Sequence, residues 1–229
     1  MHAAITWQYP NAQNIQSPVK LTASGLTREI TGAFEIPEIA QRPEFMNEGG
    51  LTANERGTAI HTFLRHVDYE KIQGLSGDEL KIALGAQKRY MLEKGLLSPV
   101  QGQAVILSSM AQFLDSVIGM RIRNARSVKR EWRFNLKMRA SDAIENAPST
   151  ASVVVQGSID LCFEENGEWV LLDYKTDKAD DKEELKSRYL PQLNLYARAL
   201  RSITGKPVKE IIICLIRQND AISIRDEQA

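Results

Sequence analysis

Cysteine is nearly absent from this chain. Two occur, Cys162 and Cys214, each inside an apolar run that reads as a strand. Two thiolates cannot supply the four needed by an ordinary iron–sulfur cluster or a four-cysteine zinc site. Both are expected to be buried free thiols in a reducing compartment. Long apolar runs are missing too: none approaches the roughly 20 residues that span a bilayer, and no signal-peptide apolar segment follows the N-terminus. A cytoplasmic protein without membrane contact is expected. Charge of one sign is also lacking, since 29 Lys and Arg balance 29 Asp and Glu. Composition alone therefore announces no polyanionic ligand. Gly205-Lys206 is followed by Pro207, with no glycine at the upstream spacing of a phosphate-binding loop. ATP hydrolysis by this chain alone is not expected.

What is present is an ordinary globular composition, 43% hydrophobic and 25% charged over 229 residues, enough to bury a substantial core. The charge is unevenly placed. Arg121, Arg123, Arg126, Lys129, Arg130, Arg133, Lys137 and Arg139 crowd one segment with a single acid, Glu131. From Asp160 to Glu184, ten acids face only Lys175, Lys178 and Lys182. A basic segment set against an acidic one suits a protein that attracts phosphates while holding a divalent metal; solvated faces are the plainer alternative.

Residues 1–50 carry Pro10, Pro18, Pro37, Pro43 and Gly49-Gly50 without sustained periodicity. They read as an extended lead-in with a short helix near Ser24–Ile30, and residues 51–229 as the folded domain. A first helix is expected from Asn54 to Asp68, with Ile60, Phe63, Leu64 and Val67 as its apolar stripe. A second runs from Ser76 to Lys94, opened by a Ser76–Glu79 capping box, and a third from Pro99 to about Met120. Alternation then takes over: Trp132, Phe134, Leu136 and Met138 mark a strand. A loop follows over 140–151, then strands Ser152–Phe163 and Glu168–Thr176. A helix starting at Asp180, broken or restarted at Pro191, ends at Gly205. Val208–Arg217 and Ala221–Ile224 form a last hairpin around Asn219-Asp220. Helices, strands, helix, strands in that order indicate one mixed α/β domain with an N-terminal helical region.

Asn166-Gly167 between two strands favours a two-residue hairpin turn. Glu165 then pairs with Glu168, and the register sets Asp160 opposite Asp173, Ser158 opposite Lys175 and Gln156 opposite Asp177. Asp160, Asp173 and Lys175 share one face; Ile159, Leu161 and Phe163 line the other with Val170, Leu172 and Tyr174. Two carboxylates about 5 Å apart repel by roughly 3 kcal/mol at an effective dielectric near 20. A divalent cation between them reverses the sign, and Mg²⁺ favours one or two carboxylates with water and phosphate oxygens. Neutralisation by Lys175 and solvent is the alternative.

Asp160 followed by Asp173-Tyr174-Lys175 resembles the PD-(D/E)XK nuclease superfamily. Gly57-Thr58-Ala59-Ile60-His61, Gly157-Ser158-Ile159-Asp160, Asp173-Tyr174-Lys175-Thr176 and Gln192-Leu193-Asn194-Leu195-Tyr196 narrow the resemblance to its RecB-like branch. The lead-in, with Trp7, Tyr9-Pro10 and Lys20-Leu21-Thr22, is similar to the approach to the C-terminal nuclease domain of AddA-type helicase–nuclease subunits. The resemblance implies a restriction-endonuclease-like mixed β-sheet flanked by helices. It implies His61, Asp160, Asp173, Glu131 (through water) and the Tyr174 carbonyl as metal ligands, and Asp160, Asp173 and Lys175 as the catalytic set. It implies Gln192 and Tyr196 as DNA-contacting. Glu131 could instead pair with Arg130 or Arg133, and Gln192 and Tyr196 could be a helix packing face with a polar rim. The implied cofactor is Mg²⁺, with Mn²⁺ able to substitute and no iron–sulfur cluster. The implied partners are DNA in single strands, a helicase motor in the same parent polypeptide and an AddB-like partner subunit. Ile159, not proline, precedes Asp160. From a different class, a catalytically silent DNA-binding or scaffolding module on the same fold is the rival reading.

Overall fold

The computed structural model describes residues 20–23, 25, 51–142, 150–176 and 181–225. Six strands form one mixed sheet: β1 (Lys20–Thr22), β2 (Val128–Arg139), β3 (Ser152–Glu165), β4 (Glu168–Lys175), β5 (Val208–Leu215) and β6 (Asp220–Arg225). Helices α1 (Ala53–His66), α2 (Gly77–Glu93), α3 (Pro99–Ala104), α4 (Leu107–Leu114) and α5 (Val117–Asn124) precede β2, and α6 (Lys182–Thr204) joins β4 to β5. The mixed α/β architecture with an N-terminal helical region is as expected. Lys20–Thr22, within the expected lead-in, pairs with β3 and so belongs to the sheet. The rest of the helix expected over Ser24–Ile30 lies outside the described residues apart from Gly25.

Helix starts follow the caps more than the apolar stripe. α1 opens on Thr52, whose hydroxyl accepts from the Glu55 N–H while Glu55 returns to the Thr52 N–H, a reciprocal box that the sequence reading did not use. Its expected stripe, Ile60, Phe63, Leu64 and Val67, is buried. At α2, Ser76 is the capping residue but its side chain makes no cap hydrogen bond. Asp115 substitutes, accepting from the Gly77 N–H at 3.2 Å.

The single helix expected from Pro99 to Met120 is three. Val105 and Ile106 are extended between α3 and α4. Ser116 then donates to the Phe113 carbonyl at 2.6 Å and accepts from the Gly119 N–H at 3.2 Å, ending α4 and starting α5. A Cβ on Gly119 would collide with the backbone of Phe113 and Leu114, so the tight reversal needs glycine there. α6 instead runs unbroken through Pro191. Proline removes one intrahelical bond, yet Tyr189, Leu193, Tyr196, Ala197 and Leu200 bury the same face on either side, and that packing carries the helix across.

Strand β3 organises the sheet. β2 pairs with it antiparallel from Ser152 to Phe163 along one edge. On the other edge β4 pairs with residues Leu161 to Glu165 and β1 with Val154 to Gln156. Between those two partners the sheet forks. The turn register is as expected, Glu165 opposite Glu168, but the ladder ends at Leu161–Leu172. The expected pairs Asp160–Asp173 and Ser158–Lys175 do not form: beyond Leu161–Leu172 β4 diverges from β3, while its other edge stays paired with β5 through Lys175; Asp177 lies outside the described residues. Alternation breaks at the same level. Leu161 and Phe163 join the core beneath α1–α5 with Val170, Leu172 and Tyr174, whereas Ile159 joins the core beneath α6. β2 makes the matching switch between Val128 and Trp132, where Glu131 has φ 47°. A positive φ at a non-glycine residue is a local strain that surrounding structure must hold.

At the turn end of the sheet, Arg121 spans Glu165 (3.0 and 2.9 Å) and Glu210 (2.6 Å), and Lys209 reaches Glu165 from β5. The Arg121 guanidinium holds the Glu165 carboxyl down at about 2. A depressed carboxylate adds stability that is fully present above the ordinary value near 4.5 and is lost as pH falls toward 2. Arg121→Ala is expected to cost about 1–2 kcal/mol at neutral pH, after allowance for partial exposure. It should also flatten the pH dependence between 4.5 and 2; urea midpoints for both proteins at pH 2.5, 4.5 and 7 check this.

Candidate active site

The fork brings the chemistry together. Asp160 sits on β3 just past its last pair with β4, and its Oδ2 accepts the Tyr174 N–H at 2.9 Å. The strand edge that lost its ladder partner is thus closed by a side chain. From the helical side, α1 delivers His61, with Nδ1 3.6 Å from Asp160 Oδ2 and Nε2 3.1 Å from the Tyr174 carbonyl. Its ring also stands edge-on to Tyr174, centroids 5.6 Å apart. Close approach of α1 depends on Gly57, where a Cβ would lie 2.9 Å from Thr176 Oγ1 at the end of β4. Glu131 arrives from β2 at the strained position, its Oε2 accepting from the Ser158 hydroxyl at 3.1 Å.

Ligand atoms of His61, Glu131 and Asp160 all lie within 4.8 Å of one another. One imidazole and two carboxylates within that span are a donor set suited to a divalent cation. The next carboxylate, Asp173, is buried on the α6 side of β4, and its Oδ2 lies 2.9 Å from Lys175 Nζ. The Lys175 ammonium in turn sits 3.9 Å above the Tyr189 ring. Asp160, Asp173 and Lys175 are therefore neighbours, but through the fork rather than across a ladder.

Burial works against the charged form of each group, and the neighbours decide the outcome. Burial would lower the His61 pKa, but Asp160 and Asp173 lift it to about 9. Burial would raise Asp160, yet His61, Lys175 and the Tyr174 N–H bring it below the usual carboxylate value. Asp173 is raised, by complete burial and by Asp160, against the pull of Lys175. Glu131 is raised by burial and Asp160, with Ser158, His61 and Arg65 opposing. Lys175 stays charged, since Asp173, Tyr189 and Asp160 outweigh its burial.

Gln192 and Tyr196, expected to touch DNA, are turned inward and buried. The Gln192 amide donates to Tyr196 Oη at 2.7 Å, and the Tyr196 ring meets Phe134 edge-on at 5.5 Å. Placed there they pack on the α6 side of the site. The sequence reading missed two neighbours of the candidate groups. Tyr189 lies three and seven residues before Gln192 and Tyr196, so helical period alone puts it on their face. Ser158 stands inside the Gly157–Asp160 motif without having been given a role.

The model of the PD-(D/E)XK nuclease superfamily matches residues 33–227. The chain belongs to this superfamily. Its relatives include the A-subunit of the ATP-dependent helicase/nuclease of Desulforamulus reducens, 32% identical over 96% of this chain and 18% of that protein. The protein of the same name from Heliobacterium modesticaldum is 39% identical over 73% of this chain and 12% of that protein. The one from Alkaliphilus metalliredigens is 35% identical over 92% of the chain and 18% of its length. The chain thus spans less than a fifth of the curated relatives it matches. Among the described residues no helix is long and apolar enough to cross a membrane.

Two outcomes are expected here. A His61 pKa near 9 means that the metal-free protein carries a proton where a cation would bind. Titration with Mn²⁺ should release close to one proton at pH 7, and apparent affinity should rise with pH until about 9; calorimetry in buffers of different ionisation enthalpy reads the proton count. In the same metal-free protein, stability contributed by His61 is full below about 6.5 and fades as pH rises through 9. Gly157 gives the second: a Cβ there would lie 2.6 Å from the Phe134 ring and 2.9 Å from the Tyr196 ring. Gly157→Ala should destabilise by about 1–3 kcal/mol through overpacking, seen as a lower urea midpoint.

Proposed function

We propose that this chain is the nuclease domain of an AddA-type helicase–nuclease, hydrolysing phosphodiester bonds of single-stranded DNA with Mg²⁺ or Mn²⁺. The observation that carries this is the convergence of His61, Glu131 and Asp160 within 4.8 Å beside the buried Asp173–Lys175 pair, in a chain of this superfamily. His61, Asp160 and Glu131 would hold the ion, with Asp173 and the Tyr174 carbonyl bordering it. Bound there, a divalent cation supplies Lewis-acid polarisation of the scissile phosphate and acidifies a water.

The protein's own part is positioning and charge. Lys175 is pinned between the Asp173 carboxylate and the Tyr189 ring, so its ammonium is pre-aimed without reorganisation at the moment of reaction. It would donate a hydrogen bond to the attacking water or to a phosphate oxygen and offset negative charge developing in the transition state. Asp160, kept ionised by its neighbours, would contribute a permanent negative charge to the ion. Ser158 would hold Glu131 in its strained conformation, and Tyr196 with Gln192 would close the back of the site against water. By resemblance the parent protein carries the helicase motor in the same polypeptide and works with an AddB-like partner in the cytoplasm, resecting double-strand breaks.

Asp173→Asn preserves side-chain volume and removes the charge. Cleavage of a labelled single-stranded oligonucleotide in Mg²⁺ is expected to fall by about 10²–10³-fold or more, with circular dichroism unchanged. Undiminished cleavage by a folded Asp173→Asn protein would sink the assignment. Binding without product in the parent chain would favour a silent module.

A further inference from the structure

The basic side chains between Arg121 and Arg139 take no part in the reaction proposed above, and the structure divides them. Arg121 is engaged by Glu165 and Glu210, Arg123 by the Leu75 and Leu114 carbonyls, Arg130 by the Val67 carbonyl and Arg139 by Asp142. Arg126, Arg133 and Lys137 differ, the last two on β2. Both are exposed, and no ion pair or hydrogen bond holds either side chain among the described residues.

They belong to a face on which no helix packs among the described residues. Phe134, Leu136 and Met138 fill the core beneath α6, so alternation turns Arg133, Asn135 and Lys137 to the opposite side of β2. Register extends that side across three strands. Arg133 lies opposite Ser158, Asn135 opposite Gln156 and Lys137 opposite Val154, while Lys20 and Thr22 of β1 lie opposite Val154 and Gln156. Lys20 is exposed as well and likewise lacks an ion pair or hydrogen bond among the described residues. The helical layer packs on the sheet only farther along, at Leu161, Phe163 and the strands beyond. Between the cations, the Gln156 amide donates to the Asn135 amide oxygen. The face runs into the candidate site, because Ser158, the cross-strand neighbour of Arg133, donates to Glu131.

We propose that this open face of β1, β2 and β3 binds the sugar–phosphate backbone of single-stranded DNA beside the His61–Glu131–Asp160 cluster, a reading that rests on the proposed nuclease function. Three cations without anionic partners among the described residues, on a surface continuous with the candidate site, complement phosphates. Same-face residues along a strand recur about every 7 Å, so Arg133, Asn135 and Lys137 form a row of polar groups at a spacing comparable to successive phosphates in an extended strand. Lys137 and Lys20 flank Val154 across two strand spacings, about 10 Å, which admits one phosphodiester chain between them. A duplex reader inserts a helix or ribbon into a groove, and among the described residues this face projects neither. Binding of this kind tracks the backbone and carries no sequence preference.

The test uses the full 229-residue chain with Lys20→Ala, Arg133→Ala and Lys137→Ala combined, and fluorescence anisotropy of a labelled single-stranded oligonucleotide. Chelator is present throughout, so cleavage plays no part and the result stands apart from the Asp173→Asn test. Affinity is expected to fall about 10- to 100-fold, and the slope of log affinity against log salt to shrink by about 2, at roughly 0.7 for each phosphate no longer neutralised. A control with Lys81→Ala and Arg89→Ala, exposed on α2, should change neither. The proposal is overturned if the parent chain does not bind, if the folded triple variant binds with unchanged affinity and slope, or if the control loses as much. A duplex of equal length competing as well as the single strand would overturn it also.

Discussion

Everything at the candidate site depends on one strand having two partners on the same edge. β3 gives the end nearest the hairpin to β4 and its other end to β1, and the stretch between them has no ladder partner among the described residues. Unpaired backbone in a sheet interior is costly unless something satisfies it. On the facing edge of β4 side chains satisfy Tyr174, whose N–H donates to Asp160 and whose carbonyl accepts from His61. The groups that repair the fork are the ones placed to hold a cation. Loss of regular pairing and gain of a binding site are a single structural event.

The same place gathers charge that a stable fold would otherwise disperse. Asp160, Asp173 and Glu131 stand close enough to perturb one another, and burial removes the water that would screen them. In the metal-free protein the compensation comes from His61, protonated through neutral pH, and from Lys175 beneath the carboxylates. One of these cations is exchangeable and the other is not. His61 can surrender a proton when a metal arrives, whereas Lys175 is held by Asp173 and the face of Tyr189. That division matches the roles proposed for them, ligand on one side and fixed positive charge on the other.

Much of this was legible in the order of residues. The Asn166-Gly167 turn set the hairpin register, the stripe on α1 was buried as its spacing indicated, and the motif residues His61, Asp160, Asp173 and Lys175 do converge. Other features misled because they answer to interactions made far along the chain. Ser76 and Glu79 have the spacing of a capping box, but Asp115, folded back from the end of α4, accepts from the Gly77 N–H at that helix start. Pro191 reads as a break, and the buried face of α6 overrides it. Gln192 and Tyr196 sit at the right helical spacing to reach DNA together, but that spacing does not say which way the helix is rolled, and the sheet beneath holds them inward.

By itself the sequence determined local matters: turn type, strand alternation, helical stripes and the identity of the ionisable groups, because each depends on neighbours within a few residues. Tertiary structure alone decided that β4 would part from β3 one pair before Asp160 and Asp173 could face each other, with the Tyr174 N–H donated to the Asp160 side chain and the other edge of β4 held by β5, more than thirty residues later in the chain. It also decided that a positive φ at Glu131 would bring a third oxygen donor to His61 and Asp160. Those contacts join residues distant in sequence, and they exist only once the chain has folded.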